Sequence, residues 1–155
     1  MVMSLLGKDA PEFASKNHLM EDIKLSQFRG KKVVLAFYPA AFTGVCQKEM
    51  CTFQESLKAL NDLGAEVLGI STDMPFSNNV FAEQNSLTFS LISDPTRSIV
   101  NAYGIAFSDF AGIPGCIVAQ RAVFIVSEDG KVSFEWIAEN PGIEPDYDAV
   151  KAALG

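Results

Sequence analysis

The sequence predicts an α/β domain in which a mixed central sheet is covered by helices, with an N-terminal extension ahead of the first core strand. Three observations carry this expectation. Apolar runs of strand type alternate with segments of helical periodicity between residues 33 and 95. Two later runs flank Glu128-Asp129-Gly130 in the manner of an antiparallel hairpin. No linker, repeat or low-complexity stretch divides the chain, so residues 1–155 are expected to form one domain with one sizeable core. Periodicity defines the layers and leaves the strand order open.

The elements follow in chain order. VVLAFY (33–38) is a β-branched and aromatic run suited to a central strand, and Pro39 closes it. From about Gly44 to Leu63 the apolar residues Phe53, Leu57, Leu60 and Leu63 recur at three or four positions, which predicts a helix with one apolar face that Gly64 ends. EVLGIS (66–71) is the next buried strand. Thr72-Asp73-Met74-Pro75 then offers capping residues and a first-turn proline for a helix running through Phe76, Val80 and Phe81. Phe89 to Ile92 forms a short strand, Asp94-Pro95 opens another helical turn, Ala122–Val126 and Val132–Ile137 pair as the hairpin, and Asp146 to Leu154 is a terminal helix.

Composition removes several function classes. Twelve Lys and Arg face nineteen Asp and Glu, a net charge of −7 with His18 neutral, and the isoelectric point is about 4.6, so there is no general attraction to phosphate backbones or anionic lipid. Neither nucleic acid nor a membrane is an expected partner. The longest apolar stretch, Val33 to Phe42, is about half the ~20 residues a spanning helix needs. The N-terminal MVMSLLGKDAPEF has no basic segment before an adequate apolar run, which points to a cytoplasmic protein. Cys46, Cys51 and Cys116 are too few, and odd in number, for a disulfide framework. With one histidine and no CxxC or HxxxH spacing, no metal or other cofactor is expected. The missing CxxC also argues against a dithiol–disulfide reductase. What remains is to find the thiol whose surroundings favour its thiolate.

Residues 38–51, YPAAFTGVCQKEMC, lie where a buried strand ends and a helix begins. Cys46 falls in or near the first helical turn, where unpaired N–H groups and the positive end of the helix dipole favour an anion. Position alone makes it a candidate nucleophile. Thr43 either caps the turn or aims its hydroxyl at the sulfur; the plain alternative is a capping Thr43 and a packed Cys46.

Pro39, Thr43 and Cys46 also form the pattern Pro-x-x-x-Thr-x-x-Cys, and here the chain resembles the peroxiredoxins. The likeness continues through residues 24–50, 69–95, 120–132 and 140–150. It implies a thioredoxin-like fold and thiol-dependent reduction of hydrogen peroxide and organic hydroperoxides. In that reading Cys46 is the peroxidatic cysteine, Thr43 orients the peroxide and Pro39 shields the site. Arg121, directly before AVFIV (122–126), is the matching arginine; Arg29 and Arg97 are weaker candidates. Glu49 either orients Arg121 through a bidentate contact or is an ordinary first-turn acid. A thiolate attacking one peroxide oxygen becomes a sulfenic acid as water or an alcohol departs. A fixed guanidinium, a hydroxyl and the N–H groups of Val45 and Cys46 can follow the charge from sulfur to oxygen.

Cys51, five residues after Cys46, resembles the resolving position of the bacterioferritin-comigratory (PrxQ) branch. Helical positions five apart lie ~140° round the axis with Cα atoms about 8.6 Å apart, beyond the ~7 Å limit for a disulfide, so the helix must unwind locally first. Gly44 makes that fraying easier. The stretch Phe42–Gln47 equally resembles the one-cysteine AhpE branch, in which an external thiol resolves and Cys51 is a core residue. Cys116, beside the loop Gly112-Ile113-Pro114-Gly115, is either a further partner or a plain loop thiol. The expected partners are a hydroperoxide, a thioredoxin-like or other thiol reductant, and a second copy in a homodimer. A non-catalytic redox sensor or holdase is the alternative class, with Phe107, Phe110 and Ile113 as an apolar patch, a dimer contact or a lid. His18, Trp136 and the acidic residues 139, 144, 146 and 148 have structural readings: loop, sheet packing and solvation.

Overall fold

The structure, a computed structural model, describes residues 4–155; the first three residues of the N-terminal segment discussed above lie outside them. Strands β1 (Ala14–Lys16) and β2 (Asp22–Lys24) form an antiparallel hairpin that precedes the core strands. The alternation then proceeds through β3 (Lys32–Phe37), α1 (Gly44–Asp62), β4 (Ala65–Ser71), α2 (Pro75–Gln84), β5 (Ser90–Ser93) and α3 (Ser98–Ala102). After a short ladder of β6 (Ala106–Phe107) with β7 (Val118–Ala119) come the hairpin β8 (Ala122–Val126) and β9 (Val132–Ile137) and the terminal helix α4 (Tyr147–Leu154).

The main sheet has the order β5-β4-β3-β8-β9, parallel across β5, β4 and β3 and antiparallel across β3, β8 and β9. β3 is its centre, and its period-two alternation feeds two cores. Val33, Leu35 and Phe37 join Phe13, Leu25, Ile99 and Tyr103 on one face. Val34, Ala36 and Tyr38 join Met50, Phe53, Phe81 and Leu154 on the other. This mixed sheet with helices on both faces is the expected fold class, and the hairpin β1–β2 supplies the expected N-terminal extension.

Local chemistry explains the boundaries, with some departures from expectation. Gly64 takes the left-handed conformation (φ 78°) that ends α1. Leu63 follows the last helical residue and stays 40% exposed instead of extending the apolar face. Helix α2 begins with Pro75 after Met74, and neither Thr72 nor Asp73 caps it; the Asp73 side chain is engaged elsewhere. Phe76 and Val80 of α2 are exposed, while Phe81 is buried. Asp146 caps α4 by accepting from the Ala149 N–H at 3.1 Å. Glu144 does more than solvate a loop: it accepts from the Tyr147 hydroxyl at 2.8 Å and pairs with Lys48 at 3.1 Å. His18 accepts from the Leu91 N–H at 3.1 Å.

Gly69 has a packing reason. A Cβ there would sit 2.6 Å from Leu91 Cδ2 and 3.3 Å from both Met50 Sδ and Tyr38 Cε1, so its absence lets α1 and Tyr38 close onto β4. The described residues contain no helix long and apolar enough to cross a membrane.

Candidate active site

β3 delivers the chain to residues 38–43, and α1 carries it away, so Cys46 sits in the first turn of α1 with its side chain fully buried. The first helical bond at this end runs from the Gln47 N–H to the Thr43 carbonyl, 2.9 Å. The amides of Val45 and Cys46 precede it and have no carbonyl one turn back to bond to.

Arg121 enters from the neighbouring strand. It immediately precedes β8, whose first residue, Ala122, stands opposite Phe37 at the end of β3. That register carries a side chain 75 positions away to the start of α1. Each guanidinium nitrogen has an acceptor: Nη2 donates to Cys46 Sγ at 3.1 Å, Nη1 to Glu49 Oε2 at 2.6 Å and Nε to the Pro141 carbonyl at 3.0 Å. The Arg121 residue is 2% exposed. Burial alone would lower its pKa, but Glu49 and Cys46 outweigh burial and hold the guanidinium charged.

Glu49 lies one turn beyond Cys46 on the same face of α1 and is fully buried. Its contact with Arg121 is not bidentate, and its burial against that guanidinium sets it apart from an ordinary first-turn acid. Only Oε2 meets Arg121, while Oε1 is buried with no hydrogen-bond partner among the described residues. Burial pushes its pKa up to about 8 even though Arg121 pulls it down.

Thr43 precedes the helix with extended backbone, but its hydroxyl neither caps α1 nor donates to the sulfur. It donates to the Ala40 carbonyl at 2.8 Å, which leaves the oxygen's lone pairs free to accept. Pro39 is buried at the exit of β3. Arg29 and Arg97 stand apart from this group: Arg29 donates to the Asp129 carbonyl at 2.9 Å, and Arg97 donates to the carbonyls of Ile117 and Pro95.

The other two cysteines are also free thiols. Cys51, half-buried farther along α1, donates to Asn85 Oδ1 at 3.6 Å, and burial with a contribution from Glu55 raises its pKa. Cys116 is half-buried in its loop, which is tied by bonds of 3.1 Å from the Phe110 N–H to the Cys116 carbonyl and from the Cys116 N–H to Ile113. Phe107 lines the same recess as Arg121 and Pro141 and meets Phe110 edge-on at 6.4 Å, whereas Ile113 is exposed.

A polar chain that sequence reading missed runs behind the loop. The Tyr38 hydroxyl donates to Asn78 Oδ1 at 2.8 Å, and Asn78 Nδ2 donates to both Ser71 and Ser93 at 3.3 Å. Ser71 donates to Asp73, which also accepts the Ala41 N–H, both at 2.8 Å. Of these residues the sequence reading singles out only Asp73, as one of the capping candidates in Thr72-Asp73-Met74-Pro75.

Residues 6–135 match the AhpC/TSA family. The chain belongs to this family. Its peroxiredoxins are thiol-dependent peroxidases that couple a hydroperoxide substrate to a thiol reductant. The chain is 40% identical over 128 residues to a putative peroxiredoxin, bcp, of Haemophilus influenzae, covering 82% of each chain. It is 35% identical over 126 residues to a chloroplastic peroxiredoxin Q of Gentiana triflora, covering 81% of this chain and 56% of that one, so it spans just over half the plant protein. The crystal structure of peroxidoxin BcpB from Mycobacterium tuberculosis superposes with a TM-score of 0.85 at 27% identity, over 98% of this chain and 97% of that one. The fold of this peroxiredoxin is therefore thioredoxin-like, as the sequence resemblance implies.

Proposed function

We propose that this peroxiredoxin reduces hydrogen peroxide and organic hydroperoxides with Cys46 as the attacking thiolate. The observation that carries the assignment is the Arg121 guanidinium shared between Cys46 Sγ and Glu49 Oε2, at 3.1 and 2.6 Å. An S–O bond forms as the O–O bond breaks. The sulfur is oxidised to a sulfenate, the departing oxygen takes the peroxide's proton and leaves as water or an alcohol, and the proton that the thiol released to solvent on ionising returns to give the sulfenic acid. As charge moves outward, Arg121 and the amides of Val45 and Cys46 stabilise it. The Thr43 oxygen accepts the hydroperoxide O–H and so aligns the O–O bond with sulfur, and Pro39 keeps water from the far side.

Resolution follows in the same reading. The Cys51 thiol displaces the sulfenic hydroxyl as water after the first turns of α1 unwind, and a thioredoxin-like dithiol reduces the resulting disulfide. A one-cysteine cycle is the second reading. It is favoured by the position of Cys51 on an intact helix, with its thiol pKa raised by burial and its proton held toward Asn85. One domain over residues 1–155, a cytoplasmic location and a homodimer complete the assignment.

Peptide mass analysis after one equivalent of peroxide tests it: the oxidised sulfur should be Cys46, linked to Cys51 in the first reading and to an added thiol in the second. Peroxide consumption at the wild-type rate by a Cys46→Ser variant defeats the assignment, and a single oxidation without recycling by any dithiol points to a sensor.

A further inference from the structure

We propose that Asp73 is a positioning residue for the peroxide-reacting loop: it holds the geometry that hydroperoxide reduction needs without holding the thiolate itself. The inference rests on the functional reading above. Asp73 lies in the turn between β4 and α2 and touches none of the reacting groups. Its Oδ2 accepts two hydrogen bonds, from the Ala41 backbone N–H and the Ser71 hydroxyl, each at 2.8 Å. Ser71 is fully buried and is held from behind by Asn78, itself fully buried and bonded to Tyr38 and Ser93. The residues on either side of the loop's entry, Tyr38 by its side chain and Ala41 by its backbone, are thus tied to one continuous polar chain anchored on β4 and α2.

What the tie restrains is a strained segment. Phe42, between Ala41 and Thr43, has φ 66°, a left-handed conformation that is costly for a bulky L-residue. Such a conformation persists only where its surroundings over-determine it. Here the determinants are the bond from Ala41 to Asp73 on one side of Phe42 and the bond from Thr43 to the Ala40 carbonyl across it. The Phe42 ring adds an edge contact with Phe81 at 5.4 Å. Removing the acceptor at position 73 lets Phe42 relax, and the Thr43 hydroxyl and the open amides of the first turn move with it.

Arg121 is anchored independently. Its other two contacts, with Glu49 on α1 and the Pro141 carbonyl, lie outside the loop. The cation therefore stays beside Cys46 when the loop relaxes, and a reagent that needs only the thiolate keeps its reactivity. Hydroperoxide, which needs an aligned O–O bond as well, does not.

The test compares two reagents on one sulfur. Reduced wild-type, Asp73→Ala and Asp73→Asn proteins are mixed with hydrogen peroxide in a stopped-flow instrument and, separately, with iodoacetamide, with Cys46 modification followed by peptide mass. Asp73→Ala should lower the peroxide rate constant about ten- to hundredfold, as expected for misplacement on the scale of an ångström. Its alkylation rate should hold or rise. Asp73→Asn retains a carbonyl oxygen that accepts from Ala41, so it should restore most of the peroxide rate. In the wild-type protein the Ala41 amide should exchange slowly with solvent. Undiminished oxidation of Asp73→Ala, a parallel loss of both reactivities, failure of Asp73→Asn to restore the rate, or fast Ala41 exchange each overturns the proposal. If Asp73→Ala does not fold, the Asn variant and the amide exchange decide it. Wild-type Cys46 that is alkylated but not oxidised defeats the peroxidase reading itself, an outcome distinct from any effect of position 73.

Discussion

Arg121 Nη2 stands 3.1 Å from Cys46 Sγ, although 75 positions separate the two residues in the chain. The β3–β8 register places Arg121 beside the start of α1, and the carbonyl of Pro141 together with Glu49 fixes the plane of its guanidinium. A cation held on three sides suits the role proposed for it, stabilising charge that develops and moves during O–O cleavage.

Arg121→Lys keeps the charge but cannot reach sulfur, carboxylate and carbonyl with one planar fork. The rate constant for Cys46 oxidation should fall by about a hundredfold, on the scale of losing one preorganised donor. Stopped-flow oxidation of the reduced variant measures it, and a loss of less than about threefold would place the stabilisation in the helix amides instead.

Glu49 makes stability depend on pH. Its folded-state pKa is pushed up to about 8, above the ordinary carboxylate value of 4.5, so the folded protein retains a proton that the unfolded chain releases. Stability from this group should therefore fall as pH rises from about 4.5 and level off above about 8. Subtracting urea midpoints of Glu49→Gln from those of the wild type across this range isolates the effect, since glutamine does not titrate. A wild-type curve that rises relative to the glutamine variant contradicts the raised pKa.

Gly69→Ala should destabilise the protein by about 1–3 kcal/mol, the usual cost of overpacking. The added Cβ meets Leu91 Cδ2 at 2.6 Å and crowds Met50 and Tyr38, which pack in the same core as Cys46. Equilibrium urea unfolding gives the change, and the peroxide rate of the same variant reports how far the disturbance reaches.

Cys51→Ser should leave the first oxidation near the wild-type rate and remove the internal disulfide. A dimedone-type trap would then capture sulfenic acid at Cys46 for longer. Cys116→Ser should change neither. A disulfide between Cys46 and Cys116 in the wild-type protein would transfer the resolving role to the loop.

Legibility followed the range of the interactions. The hairpin bounds at Ala122–Val126 and Val132–Ile137 were readable because alternation and a Glu-Asp-Gly turn are local signals. The three-residue strands β1 and β2 and the two-residue strands β6 and β7 were missed, being too short to show a period. Cys46 was legible by its place after a buried strand, whereas the single-oxygen contact of Glu49 was not, because an i, i+3 position on a helix shows which face a residue shares and nothing about the strand that covers it. Asp73 was misread for a related reason: a carboxylate before a proline looks like a cap, yet its acceptor was taken by a backbone amide 32 residues away.

The sequence by itself determined the layered α/β class, the net negative charge, and the one cysteine placed where backbone amides converge, since each follows from composition or from periodicity within a few residues. Only the tertiary structure decided how Arg121 is held against the sulfur, that Glu49 is buried with one oxygen unpaired among the described residues, that the Thr43 hydroxyl turns to Ala40, and that Asp73 grips the loop. Those outcomes depend on strand order and register, which bring distant residues within hydrogen-bonding distance and leave no trace in local sequence pattern.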